Sequence, residues 1–363
     1  MVANLTTRLG QLTSSPAGGP YTGANKIING DMAIDQRNAG ASVTPTSSTY
    51  CVDRWKAQAS VSSKYSVQQN AGSVAVLAGM PSTYIGVTSL SAYSLGATDV
   101  LTLYQAVEGL NCVDLLWGTA NAQAITVSFW VRSSLTGTFG GGVNNSAANR
   151  SYPFTYTINS ANTWEYKTVT IPGDTTGTWL TTNGAGIYLF LGIGVGTTYS
   201  GTAGAWAATN YESATGATNV AGTNGATIYW TAVKVEKGSI ATPFVPDDYA
   251  VSLAKCRRYF WSFGGNGGAN VAFAMGYCQS TTAAEFTLLC VGMRTSPTLA
   301  TAGAFYAYNG SSVIQTITLT LNSSNASPDS AWIEGAGTGM VATAACILLG
   351  NGATATVKLS AEL

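Results

Sequence analysis

Histidine is absent from all 363 residues of this chain. That removes Ser-His-Asp and Cys-His nucleophilic systems, His-ligated zinc and the usual general base near neutral pH. Charge is scarce as well: Lys plus Arg and Asp plus Glu number 16 each, together 9% of the chain. With zero formal net charge, no long-range field favours nucleic acid or an anionic membrane. The nearest thing to a basic patch, Lys255, Arg257 and Arg258 beside Tyr259 and Phe260, reads as a solvated or interface edge. No run approaches the roughly 18 apolar residues of a membrane helix. The best, residues 187–195, is short and carries two glycines, so membrane insertion is not expected. The opening MVANLTTRLGQ has no basic region followed by an apolar one, and a signal peptide is not expected either. The six cysteines (Cys51, Cys112, Cys256, Cys278, Cys290, Cys346) form no CxxC pair. Metal-ligand spacing is therefore missing, and buried free thiols are expected, with a Cys278 to Cys290 bridge as the open alternative.

What is abundant is glycine (42 residues), with threonine, serine, alanine and aromatic residues, a composition that favours sheets joined by many turns. Short apolar-alternating runs recur at residues 66–68, 74–77, 83–87, 100–106, 125–132, 152–158, 166–171 and 187–195. That spacing predicts a two-sheet sandwich. Further runs at 271–277, 285–293, 316–321 and 342–348 predict a smaller C-terminal β-domain. Asp247 and Asp248 precede a short helix expected over 249–256, and 257–263 reads as a strand entering the second domain. Ahead of the sandwich, Val2, Leu5, Leu9 and Leu12 fall on one stripe of a short helix that Ser14, Ser15 and Pro16 stop. A helix this short needs a partner, so the stripe is expected to oligomerise or to dock. The expected class is thus all-β: a jelly-roll or β-sandwich domain over 25–247, a C-terminal β-domain over 248–363 serving as tip or trimerisation unit, and an N-terminal helix and linker over 1–24.

Motifs spread along the chain carry a resemblance. Residues 27–32 read Ile-Ile-Asn-Gly-Asp-Met, followed by Gln36-Arg37 and Asp53-Arg54-Trp55, and residues 235–244 read VEKGSIATPF. Together with NTWEYKTVTIPGDTTGTWL at 162–180 and ATGATNVAGTNGATIYW at 214–230, these resemble, in the right order over roughly 25–261, a group of bacteriophage tail and fibre proteins with a carbohydrate-binding-like β-sandwich. The segments MRTSPTL and VKLSAEL also look like C-terminal parts of phage fibre proteins. The resemblance implies a non-enzymatic component of the virion surface, assembled in the host cytoplasm: a tail fibre or receptor-binding protein, homotrimeric, contacting host-surface polysaccharide and other virion proteins. The alternative is a capsid-decorating or head-fibre protein attached to the shell through its N-terminal segment. A polysaccharide-degrading enzyme is disfavoured by the few, scattered acidic residues and the lack of long repeats.

Candidate sites follow from side-chain chemistry. Sugar rings stack on flat aromatic faces, and their hydroxyls need short polar partners. Residues 196–226 supply Tyr199, Trp206 and Tyr211 amid Thr, Asn, Ser and Glu212, in an excursion too long for an ordinary hairpin. The competing reading is that Trp206 folds back as a loop anchor. Tyr306, Tyr308 and Trp332, with Asn309, form a rival set in the C-terminal domain. Asp53, Arg54 and Trp55 are expected to be structural, with Trp55 in the core. No cofactor is expected; Asp31, Asp35 and Glu236 are weak candidates for a structural calcium ion.

Overall fold

A computed structural model describes residues 25–265, 270–309 and 314–363. The stripe of Val2, Leu5, Leu9 and Leu12, and the helix expected over it, lie outside the described residues. The chain divides into two compact units, residues 1–252 and 253–363. Both described units are built of strands, as the composition predicts, and no described helix is long and apolar enough to cross a membrane.

The first unit is a sandwich. One sheet takes β1 (Thr49–Val52), β2 (Trp55–Ala59), β5 (Val100–Glu108), β7 (Gly137–Asn144), β8 (Ser151–Ile158) and β10 (Ala185–Val195), in the order β1-β2-β5-β10-β7-β8. The other takes β3 (Tyr65–Gln69), β4 (Ile85–Ser89), β6 (Ile125–Ser133), β9 (Glu165–Ile171) and β13 (Thr227–Lys237), in the order β3-β4-β13-β6-β9. The chain crosses repeatedly from sheet to sheet, in jelly-roll fashion. Period-2 alternation explains the pairing of faces. Leu101 and Leu103 on β5, Ile187, Leu189, Leu191 and Ile193 on β10, and Ile125, Val127, Phe129 and Val131 on β6 all enter one core. Trp55 is fully buried there and donates its indole N–H to the Asn29 carbonyl at 2.9 Å. Neighbouring Arg54 donates to the Ala106 carbonyl, and Asp53 accepts from Gln36, so this triplet is structural as expected. The opening motif lies beside β13: Lys26 N–H donates to the Val235 carbonyl at 2.8 Å, and Val233 N–H donates to that of Gly30 at 2.8 Å. The two ends of the sandwich are thereby joined.

One expected strand in this unit is absent, and one unexpected strand is present. Residues 74–77 form no strand; instead Val74 and Val76 pack against the cluster of Ala71, Tyr84, Trp164 and Tyr229. Trp164 donates its indole N–H to the Ala75 carbonyl at 2.9 Å and pins the segment as a loop. Conversely β7, Gly-Thr-Phe-Gly-Gly-Gly-Val-Asn, escapes a hydrophobic-run reading because only Phe139 and Val143 of its inward positions are apolar side chains, with glycine at 137 and 141.

The helix α1 (Tyr249–Arg257) follows, matching the expected one within a residue. The described residues of the second unit form seven strands: β14 (Phe260–Gly264), β15 (Val271–Cys278), β16 (Ala283–Leu289), β17 (Thr298–Tyr308), β18 (Ile314–Leu321), β19 (Ser330–Gly337) and β20 (Ala345–Ser360). Their order, β14-β20-β15-β16-β19-β18-β17 with β17 also pairing to β20, closes a small barrel. Phe286, Phe305, Ile333, Leu348 and Leu359 fill it. Strand β16 ends at Leu289 rather than Met293, and β20 starts at Ala345, after Thr343 with its left-handed φ of 67°. All six cysteines are buried, and none is in a disulfide.

Candidate functional site

Because Leu101, Leu103, Leu189 and Val143 point into the sandwich, alternation turns Thr102, Tyr104, Tyr188, Phe190 and Asn144 to the outer face of the six-stranded sheet. The register lines them up. Lys56 pairs with Tyr104, Tyr104 with Phe190, and Phe190 with Gly142, making one row across four strands. In the next row Ala106 pairs with Tyr188 and Tyr188 with Asn144. The rings of Tyr104, Tyr188 and Phe190 form a platform of mutually inclined rings, with planes 26° to 60° apart, Phe190 only 7% exposed, and centroids 5.2 Å apart for Tyr104 and Phe190 and 6.0 Å apart for each of the other pairs. Lys56 closes one side, its Nζ lying 5.9 Å from the Tyr104 ring centroid and 5.3 Å from that of Tyr50.

Glycine prepares the other side. A Cβ at Gly142 would stand 2.9 Å from the Tyr211 carbonyl oxygen, and one at Gly140 only 2.3 Å from Ser213 Oγ. The bare backbone of β7 therefore lets the segment 211–214 descend onto the sheet. That segment is held by Tyr211 N–H donating to Ser151 Oγ at 3.1 Å, Glu212 N–H donating to the Tyr199 carbonyl at 2.9 Å, and a parallel bridge between β11 (Ser200–Gly201) and β12 (Ser213–Ala214).

It delivers Glu212, 5% exposed, to the edge of the platform. Asn144 donates to Asn210 Oδ1 at 2.6 Å, and Asn210 in turn donates to Glu212 Oε1 at 3.5 Å. Glu212 Oε2 and Asn144 Oδ1 have no hydrogen-bond partner in the protein. Burial pushes the Glu212 carboxyl up to about 7, against the hydrogen bonds of Gln58 and Asn210, which lower it. Gln58, Tyr104, Tyr188, Phe190, Asn144, Asn210 and Glu212 line a cleft of about 230 Å³. Flat apolar faces beside buried hydrogen-bonding groups suit a ligand with apolar faces and a hydroxylated edge.

The residues anticipated from the sequence are distributed as follows. Trp206 packs its ring edge-to-face on Tyr152, Trp117 and Trp179 at 5.2, 5.3 and 5.5 Å, and donates its indole N–H to the Pro172 carbonyl at 2.9 Å. The Arg150 guanidinium lies 5.8 Å over the same ring while gripping Asp174 with two hydrogen bonds of 2.7 Å. Tyr211 lies against Gly201, where a Cβ would meet its ring at 2.1 Å, and Tyr199 accepts from Glu212 through its carbonyl. These three aromatics thus belong to the loop that carries Glu212, outside the platform itself. In the barrel, Phe305 and Ala307 face the core, so Tyr306 and Tyr308 share the outer face of β17; Trp332 stands on β19, with β18 between them.

The three acidic candidates for calcium have separate surroundings. Asp35 accepts from the backbone N–H groups of Arg37, Asn38 and Gly40. Glu236 accepts from Thr242 and pairs with Lys234 at 3.2 Å. Burial raises the Asp31 carboxyl above its ordinary value, and Asp247 adds to that. Among the described residues no group of three His, Cys, Asp or Glu side chains could hold a metal ion.

A larger cleft of about 440 Å³ lies on the outer face of the other sheet, lined by Met80, Trp130, Tyr166, Pro243 and Phe244 among others. No acid, base or amide side chain lines it.

Sequence reasoning missed Tyr104, Tyr188, Phe190 and Asn144. The available signal was that β10 places Tyr and Phe at alternate positions between Ile and Leu, which is more aromatic surface than one buried face needs.

No family model matches the chain, and no curated protein matches it. Among solved structures, the enzymatically active domain of tailspike protein 4 of bacteriophage CBA120 is similar over 59% of this chain at 11% identity and a TM-score of 0.31; this chain spans 21% of that one. A carbohydrate-binding module of family 4 is similar over 58% of this chain and 97% of its own, at 13% identity and a TM-score of 0.29. A family 11 carbohydrate-binding module from Clostridium thermocellum, solved with a β-1,3-1,4-mixed-linked tetrasaccharide, is similar over 54% of this chain and 97% of its own, at 11% identity and a TM-score of 0.26. Likenesses this distant assign no ligand to the present chain.

Proposed function

We propose that the sandwich is a carbohydrate-binding module and that the protein is a non-enzymatic, homotrimeric component of a phage tail fibre that meets host-surface glycan. The observation that carries the binding reading is the platform of Tyr104, Tyr188 and Phe190, placed on the outer face of a sheet beside the buried Glu212 and Asn144. The fibre assignment rests on the ordered motifs between residues 27 and 244. Glycoside hydrolysis ordinarily uses two carboxyl groups about 5 to 9.5 Å apart. Glu212 is the one carboxylate among the residues lining the cleft, which supports binding over cleavage. Individual contacts of this kind are weak, and three copies on one fibre would multiply them.

The test is a binding titration of the purified protein against neutral and acidic oligosaccharides and host-surface polysaccharide, with Tyr188→Ala as the control. Wild type should bind at least one glycan, and loss of the ring should weaken binding about tenfold, corresponding to roughly 1.4 kcal/mol of stacking. Absence of binding to every glycan, or unchanged binding by Tyr188→Ala, refutes the site. New reducing ends during incubation would refute the non-enzymatic reading.

A further inference from the structure

The row of outer positions continues past the cleft. Tyr50 pairs with Lys56 and Lys56 with Tyr104, so β1, β2 and β5 carry ring, ammonium and ring side by side. Adjacent strands lie about 4.8 Å apart, which separates the two tyrosines by roughly 10 Å with the lysine between them. The Lys56 Nζ is 5.3 Å from the Tyr50 centroid and 5.9 Å from that of Tyr104. Both distances allow cation–π attraction, which holds the ammonium between the two rings.

Among the described residues Lys56 makes no ion pair and donates no hydrogen bond; its two ring contacts are its polar interactions. The neighbouring cation is different. Arg37 also lies over Tyr50, at 4.4 Å, but its Nε is 3.9 Å from Asp53 Oδ1 and its side chain is only 13% exposed. The carboxylates around this row are engaged elsewhere. Asp53 is fully buried and accepts from Gln36, Asp35 accepts from three backbone N–H groups, and Glu108, on the same strand as Tyr104, is buried. Glu212 is the one carboxylate lining the cleft next to Tyr104, and burial, Gln58 and Asn210 set its protonation, with no cation among those causes. The row therefore presents one positive charge, beside part-exposed aromatic rings, that the protein leaves for another anion.

We propose that Lys56, flanked by the rings of Tyr50 and Tyr104, is a subsite for the carboxylate of a uronic acid residue, so that the glycan this face takes is an acidic polysaccharide. The inference rests on the glycan-binding reading above. A pyranose stacked on Tyr104 reaches the ammonium through a substituent on its rim. A carboxylate there accepts a charge-assisted hydrogen bond from Nζ, whereas an ester or a hydroxyl accepts only the weaker bond of a neutral group. Formal net charge of the chain is zero, so no long-range field draws an acidic polymer in. Discrimination belongs to this short-range contact.

The experiment measures wild-type binding, in dilute buffer near pH 6, to hexagalacturonate, hexamannuronate and hexaguluronate and to their methyl esters, which keep ring and linkage and remove the charge. At about pH 6 the uronates are ionised while Glu212, raised to about 7, is mostly protonated and does not oppose them. At least one acid should bind about fivefold or more tighter than its ester. That preference should collapse in about 1 M salt, where screening acts over about 3 Å. Lys56→Met, which keeps the stem and removes the charge, should bring that acid and its ester to equal affinity, with the ester changed less than about twofold; Lys56→Gln should behave alike, and Lys56→Arg should retain the preference. Esters that bind as well as every acid, an acid preference that survives Lys56→Met and Lys56→Gln, or binding of neutral oligosaccharides alone overturns the subsite and leaves glycan binding standing. Failure of acids, esters and neutral oligosaccharides together overturns the underlying binding reading and this inference with it.

Discussion

Trp206→Ala separates a loop anchor from a ligand contact, and its size can be worked from the geometry. The ring makes three edge-to-face contacts, with Tyr152, Trp117 and Trp179, each contributing about 0.5–1.5 kcal/mol beyond area burial. Its indole N–H adds a hydrogen bond to Pro172 of about 1 kcal/mol. Because the side chain is half-exposed and its contacts share partners, the sum must be discounted, which leaves about 3 kcal/mol, the low end for a Trp→Ala change. For a sandwich of this size each kcal/mol moves the melting temperature by about 2–4 °C, so a drop of roughly 6–12 °C is expected in a thermal scan. Glycan affinity should fall as well, since the same loop seats Glu212, whereas Tyr188→Ala should lose affinity with little change in melting. If Trp206→Ala melts within a degree or two of wild type yet no longer binds, the anchor argument is refuted and Trp206 is itself the contact.

Other outcomes follow from the same physics. Glu212 has a folded value of about 7, raised from the ordinary 4.5 by burial, so its contribution to stability is fully present below about pH 4.5 and is lost as pH rises through 7. In melting scans across pH 4 to 8.5, wild type should therefore lose stability relative to Glu212→Gln as pH rises, by on the order of 2–3 kcal/mol; parallel profiles would contradict it. Trp55→Ala, which empties a fully buried site, should destabilise the sandwich by about 3–5 kcal/mol, measured by chemical denaturation. With all six thiols buried, and burial pushing Cys51, Cys112 and Cys346 up to about 12, a disulfide-exchange thiol reagent should react negligibly with the native protein and count six after unfolding. Gly142→Val should push segment 211–214 off the sheet, because its Cβ alone would stand 2.9 Å from the Tyr211 carbonyl; unchanged binding would show that the close approach is unimportant.

The sequence by itself determined the class and most of the strands, because period-2 alternation is local: a run such as residues 125–132 has to show one face to a core wherever its partners come from. It also determined that Trp55 would be interior, that the cysteines would be free and that catalysis through histidine was impossible, each being a matter of composition or of side-chain character. What it could not decide was which of two apolar faces is outside. Strand β10 reads Ile-Tyr-Leu-Phe-Leu, apolar on both faces, and only the pairing of Tyr188 and Phe190 with Tyr104, Asn144 and Gly142 makes the outer one a platform. Residues 74–77 alternate as a strand would but find no partner, since Trp164, about ninety residues later, captures Ala75 first. The site depended on the same long-range facts. Glu212 gains its burial and its raised pKa only where the glycines of β7, some seventy residues earlier, leave room for the loop that Trp206 ties down. Contacts so distant in sequence are set by the closing of the two sheets over one core, and no local pattern carries them.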